Sequence, residues 1–284
     1  MRPLILVSSV VLIASLSNCS SPASVSAPST RSTLADTPMD SAPSLLWSNG
    51  FGQFWRQRWQ LEEQGTWGLE NVEVVRGLED CFERVLRVHY PAESASPATA
   101  RQAGVPIGGA EFRGQLGLAP RDRLRLSYYV RFSDNFAFVK GGKLPGLYGG
   151  IANSGGNIPD GTDGFSTRMM WRENGVGEVY AYLPTSEGYG TSIRQGEWVF
   201  RPGRWHHVVQ EIHLNQPGQA DGKIRVWFDD TLVVDRADIT FRSTAQLQID
   251  GIFFSTFFGG GDRSWATPNS VYADFAAFSV STVP

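Results

Sequence analysis

Cysteine is nearly absent from this chain: 284 residues contain two, Cys19 and Cys81. No disulfide framework can be built from so few thiols, so a hydrophobic core must hold the fold, and 41% hydrophobic residues can supply one. Cys81 lies among Glu79, Asp80 and Glu83. Acidic neighbours disfavour a thiolate, so Cys81 reads as a structural residue at a strand edge and not as a nucleophile. Histidine is also scarce. His207 and His213 share strand parity, His206 faces the other way, and no third ligand joins them. No metal site is expected. Charged residues make up only 19% of the chain and the net charge is −3, so no basic field exists to hold nucleic acid or an anionic membrane. Gly149-Gly150 and Gly259-Gly260-Gly261 lack the Gly-Lys-Ser/Thr ending of a phosphate loop and read as tight turns. Glu111, Glu178, Glu187 and Glu211 are scattered singly. That argues against a sandwich-fold glycoside hydrolase, which needs two carboxylates on one face.

The N-terminus has its own character. Arg2 precedes a mostly apolar run from Leu4 to Leu16, too short to span a bilayer, which needs about 20 residues. Leu16-Ser17-Asn18-Cys19 follows and resembles a bacterial lipoprotein cleavage box, in which the cysteine becomes the lipidated first residue. Residues 1–18 are therefore expected to be a signal peptide. Residues 19–44, rich in Ser, Pro, Ala and Thr, are expected to be a disordered tether, and residues 45–284 the folded domain. The mature protein is expected outside the cytoplasm, anchored through Cys19 or otherwise secreted or periplasmic. Its only membrane contact would be that anchor.

Beyond the tether the patterning is that of strands. Leu124, Leu126, Tyr128, Val130 and Phe132 alternate with Arg123, Arg125, Ser127, Tyr129 and Arg131. Similar runs lie at 85–90, 205–214, 223–228, 231–234, 249–258 and 271–280, separated by turn sequences such as Asn215-Gln-Pro-Gly218. Only residues 53–63 suggest a short helix. The pattern predicts an all-β, concanavalin-like jelly-roll sandwich in a single domain, whose concave face suits an extended polymer.

The chemistry-bearing residues lie in the middle of the chain. Ser166, Arg168, Met170 and Arg172 share one strand parity, and Tyr180 and Tyr182 share another. A three-residue loop at Glu173-Asn174-Gly175 would set Arg168 opposite Tyr180 and Ser166 opposite Tyr182 on one face. A two-residue Asn174-Gly175 turn would send both tyrosines to the opposite face, and Gly177 could add a bulge. Lys143 precedes this hairpin in Gly141-Gly-Lys-Leu-Pro-Gly146. Cations beside paired phenols suit removal of a proton next to a carboxylate. Lys143 or Arg168 would neutralise the carboxylate, and nearby positive charge would favour a tyrosine phenolate as base, with a tyrosine also serving as acid. Ser166 has no Gly-x-Ser-x-Gly surroundings and reads as a hydrogen-bond donor that positions substrate. Arg101, Arg113, Trp171 and Tyr189 are candidates for lining subsites for acidic sugars.

The Gly141–Gly146 segment, Ser166-x-Arg168 and Tyr180-x-Tyr182 together resemble the core of polysaccharide lyase family 14. The resemblance extends from about Trp47 to the C-terminus, through Gly108-Gly-Ala-Glu-Phe112, Trp205-His-His207 and Asp221-Gly222. It implies a jelly-roll enzyme that cleaves alginate or glucuronan by β-elimination. It also implies Lys143, Ser166, Arg168, Tyr180 and Tyr182 as active-site positions. No cofactor is expected, the partner is an acidic polysaccharide, and the protein is expected to act as a monomer. A non-catalytic carbohydrate-binding jelly roll and the hydrolase remain the alternatives.

Overall fold

Alternation at period two becomes paired strands wherever the chain can bury one face. The computed structural model describes residues 43–76, 82–193, 195–196 and 198–283. The expected export signal, Cys19, nearly all of the tether, and Cys81 lie outside the described residues. In chain order the strands are β1 (Leu45–Asn49), β2 (Val72–Arg76), β3 (Arg84–Tyr90), β4 (Ala110–Gly114), β5 (Arg123–Phe132), β6 (Gly141–Gly150) and β7 (Gly164–Arg172). They continue with β8 (Gly177–Tyr182), β9 (Thr191–Ile193), β10 (Trp205–His213), β11 (Gly222–Phe228), β12 (Thr231–Ile239), β13 (Gly251–Thr256) and β14 (Val271–Ser281). The larger sheet runs β12-β11-β10-β5-β14-β3-β2, with β1 also paired to β14; the smaller runs β4-β13-β6-β7-β8-β9. Both sheets are antiparallel and lie face to face, the jelly-roll sandwich of a single domain that the alternation predicts.

Helices are few and short. α1 (Trp55–Trp59) lies within the expected 53–63 segment; its two tryptophans, four residues apart, are both buried. Trp59 packs among Trp47, Phe51, Phe112 and Phe278. α2 (Pro97–Ala103) is absent from the sequence reading, because seven residues are too few to show a helical period. Its signals are local instead: Ser96 caps Thr99 N–H, Pro97 opens the first turn and Gly104 closes the helix at φ +66°.

In the smaller sheet, Phe112, Phe254, Leu144, Leu147, Met169, Trp171, Val179 and Ala181 point into the sandwich. The opposite face of the same strands carries polar residues. A bulge in β6 shapes that face. Leu144 pairs with Met169 and Gly146 with Arg168, so Pro145 is an extra residue between them. Proline suits this place because it has no N–H to leave unmet. Gly146 is required by close approach, since a Cβ there would collide with Thr167 O.

The bulge is held from the other sheet. Tyr128 Oη of β5 donates to Pro145 O at 3.1 Å. Gln210 of β10, fully buried, accepts from Leu147 N–H at 2.9 Å and donates Nε2–H to Thr167 O at 2.6 Å. Gln210→Leu keeps the size of the side chain but leaves both backbone groups unmet. It is expected to cost roughly 1–3 kcal/mol for each group. A urea titration measures this, and an unchanged midpoint would mean that the bulge does not depend on Gln210.

Candidate active site

Register places the functional side chains in rows across β6, β7 and β8. The turn at Glu173–Gly175 has the three-residue form: Arg172 N–H donates to Val176 O at 2.7 Å, and Arg168 pairs with Tyr180 and Ser166 with Tyr182. Gly177 pairs regularly with Trp171, without a bulge. It must be glycine because a Cβ would run into the Trp198 indole. One row is then Lys143–Met170–Glu178, the next Gly146–Arg168–Tyr180–Ser192, and the third Tyr148–Ser166–Tyr182. All stand on the face turned away from the core. The β6 bulge keeps Lys143 and Tyr148 on that same face although they are five positions apart.

Within this patch Lys143 Nζ lies 3.2 Å from Met170 Sδ and 4.6 Å from the centre of the Tyr180 ring. Phe257, beyond β13, lies 5.9 Å from the same amine. Arg168 is 2% exposed, its guanidinium over Phe253 at 4.9 Å and Tyr182 at 5.7 Å. Its Nη1 donates to Ser255 Oγ at 3.1 Å; Ser255 Oγ donates in turn to Glu111 Oε2 at 2.7 Å, and Glu111 Oε2 lies 3.8 Å from Arg168. Arg172 donates to Glu178 Oε1 through Nε (2.8 Å) and Nη2 (2.6 Å). Tyr180 and Tyr182 meet edge to face at 5.7 Å. Their hydroxyls accept from the backbone N–H groups of Gly190 and Gly156, respectively, so the two flanking loops fix both rings. Ser166 Oγ is buried and donates to Asn153 O at 2.6 Å.

At Tyr180 the electrostatics run against a phenolate. Burial, then the charges of Arg168 and Arg172, hold the Lys143 ammonium well below the usual lysine range; Glu178 and Glu111 oppose this. Burial pushes the Tyr180 phenol up to about 12, with Tyr182 adding to the rise. The Gly190 N–H and the Arg168 charge pull the other way but lose. At Tyr180, then, the cations favour the phenolate as the sequence reading expects, but desolvation outweighs them. The site sets an amine that holds its proton less tightly than usual beside a phenol that holds its own more tightly.

The subsite candidates fare unequally. Trp171 does not line the outer face. It is fully buried in the core, donates Nε1–H to Phe138 O and packs on Tyr90, Phe132, Phe136 and Phe258. The reason is parity, since it alternates with Met170 and Arg172. Arg113 is on the outer face, but its guanidinium is committed to Glu62 (2.6 Å), Ile151 O and Gln64 O. Tyr189 is 66% exposed on the loop that also carries Gly190. Arg101 is exposed on α2, whose Thr99 donates to Gly260 O, next to the Gly259 that borders Lys143. Glu111 and Glu178, isolated in the sequence, share the outer face, yet each is tied to an arginine or serine as described. His206, His207 and His213 each meet a separate carboxylate, Asp229, Asp230 and Glu211. Among the described residues no group of three His, Cys, Asp or Glu gathers to hold a metal ion.

Sequence reasoning did not single out Ser255, Phe253, Phe257 or Tyr148 for this face, nor Gln210 beneath it. Met170 and Arg172 were legible through their parity with Arg168. Tyr148 lies on β6 with Lys143, but the bulge between them hides their shared face; Ser255 and Phe253 on β13, Phe257 just beyond it and Gln210 on β10 are distant in sequence, and no local pattern reveals how those segments pair.

The profile of polysaccharide lyase 14 matches residues 79–278. A marine PL-14 alginate lyase from Aplysia kurodai is similar at 30% identity and a TM-score of 0.72, over 85% of this chain and 100% of that one. The alginate lyase Aly36B is similar at 25% identity and a TM-score of 0.62, over 76% of this chain and 85% of that one. An endo-β-1,4-glucuronan lyase from the fungus Trichoderma reesei shares the fold, at 14% identity and a TM-score of 0.56, over 84% of this chain and 96% of that one. No curated protein matches the chain.

Proposed function

The chain belongs to polysaccharide lyase family 14 and is a polysaccharide lyase, and on that footing we propose that it cleaves a polyuronate, alginate or glucuronan, by β-elimination at the Lys143–Tyr180 patch. The observation that carries this reading is the Lys143 amine held against the Tyr180 ring at 4.6 Å, in the field of Arg168 and Arg172. A hydrolase would instead need a water between two free carboxylic acids. Here both nearby carboxylates are engaged.

The proposed steps balance. The neutral Lys143 amine takes the proton from C5 of the uronate; the C–H bond breaks and an N–H bond forms. The electron pair delocalises onto the carboxylate, where the Arg168 charge stabilises it. It then forms the C4–C5 double bond as the C4–O bond breaks. The Tyr180 hydroxyl gives its proton to the departing glycosidic oxygen. The proton on Lys143 returns to the Tyr180 oxygen and resets the site. Tyr182 holds Tyr180 from the side, and Ser166 ties the strand to Asn153.

Incubation of the purified protein with alginate and with glucuronan, followed by ultraviolet absorbance of the unsaturated product, tests the reaction. Reducing ends without new absorbance would mean hydrolysis; retention on a polysaccharide gel without any product would mean a binding protein. Tyr180→Phe is expected to lower kcat about a hundredfold while KM changes little, since only the proton is lost. If Tyr182→Phe has the large effect and Tyr180→Phe the small one, the acid is Tyr182.

A further inference from the structure

Glu178 is an oddity in this site. It is fully buried, and while Arg172 meets its Oε1, among the described residues no donor meets its Oε2. A buried carboxylate with one oxygen unmet is costly, so its retention calls for a physical reason. The rows supply one. Glu178 faces Met170, and Met170 faces Lys143, so the carboxylate and the amine stand in one line across three strands. Arg172, the next outward residue of β7, reaches back to Glu178 and lies 5.7 Å from the centre of the Tyr180 ring. Lys143 Nζ lies 4.6 Å from the centre of that ring.

We infer that the Arg172–Glu178 ion pair sets the basicity of the Lys143 amine, with Glu178 as the positioning residue that holds Arg172 beside Tyr180 and balances its charge. The inference rests on reading Lys143 as the base. The charged and titratable groups around Lys143 are Arg168 and Arg172 of β7, Glu178, Tyr180 and Tyr182 of β8, and Glu111 of β4. Met170 and Phe257 complete its surroundings without charge. The two arginines disfavour the ammonium and the two glutamates favour it. Arg168 is buried below, beside Glu111. The Arg172–Glu178 pair contributes charges of opposite sign from neighbouring strands, so removing either one unbalances the amine in a known direction.

The test uses the full chain carrying Glu178→Gln or Arg172→Gln, with two readouts. One is kcat/KM against pH on whichever polyuronate gives unsaturated product. The other is the pH dependence of Lys143 acetylation by acetic anhydride, followed by mass spectrometry, which reports the amine whatever its catalytic role. Glu178→Gln is expected to move both midpoints down by about one pH unit, and Arg172→Gln to move them up by a similar amount. A purely structural pair would lower the rate alike at every pH. Unmoved acetylation midpoints, or shifts of the same sign in both variants, overturn the inference. If only one variant folds, by circular dichroism, its sign alone decides. If the amine titration moves as expected but the acidic limb of the rate does not, the pair tunes Lys143 and it is the base assignment that fails.

Discussion

Lys143→Met is expected to lower kcat by about 10³- to 10⁴-fold while leaving the fold in place. General base catalysis supplies about 10²- to 10⁴-fold, and no other group near this patch combines a free lone pair with access. The guanidinium groups of Arg168 and Arg172 have no lone pair to offer, Glu178 is buried and paired, and burial pushes the Tyr180 phenol up to about 12. Methionine matches the length of the lysine stem, so packing against Met170 and Phe257 is retained. The pH profile carries the sign. The base works as the neutral amine, so kcat/KM rises as pH climbs through the Lys143 value, which burial and the arginines hold well below the lysine norm. It stays high until Tyr180 loses its proton at about 12. The wild type should therefore gain activity at a lower pH than an ordinary lysine would allow and keep it in alkali. A Lys143→Met protein that keeps the wild-type acidic limb and most of its rate would remove Lys143 from the mechanism.

Arg168→Met should be nearly as damaging, for a different reason. Arg168 lies beneath the patch at 2% exposure, held by Ser255 and Glu111, so in the proposed reaction its charge would sit under the developing enolate. Loss of a fixed positive charge at such a point costs about 10²- to 10³-fold in kcat. The same change leaves Glu111 without its cation and Ser255 Oγ without a donor. Stability should fall by roughly 1–3 kcal/mol, seen as an earlier thermal midpoint. Arg168→Lys separates the two effects. It restores the charge but not the planar fork, so part of the rate should return while the Ser255 contact stays weakened. If Arg168→Met lowers only the melting temperature and spares kcat, Arg168 is structural.

The sandwich and the hairpin at its centre were legible because both follow from short-range rules. Alternation along β5 and the other long strands states which side chains face inward, and Glu173-Asn174-Gly175 closes a turn that sets the register of β7 against β8. That register is local, so the sequence narrows it to a two-residue or a three-residue turn, and the structure has the three-residue one, which brings Ser166, Arg168, Tyr180 and Tyr182 to one face. The same parity places Trp171 in the core, which is why its proposed subsite role fails.

The rest depended on contacts between distant segments. Nothing near Pro145 announces that it is a bulge, because what holds it is Tyr128 and Gln210 on the facing sheet. Without that bulge Lys143 and Tyr148 would stand on opposite faces. The pairing of β4 and β13 beside β6, which brings in Glu111 and Ser255, is likewise non-local. The shifts in proton affinity at Lys143 and Tyr180 were also out of reach. Residue types alone place cations near phenols, and cations near a phenol favour the phenolate. Only the packed structure shows how much water is displaced, and that burial makes the Lys143 amine a weaker holder of its proton than usual and the Tyr180 phenol a stronger one. Sequence determined which groups could meet; tertiary burial decided in which direction their proton affinities move, because desolvation is a property of the assembled site and of no residue alone.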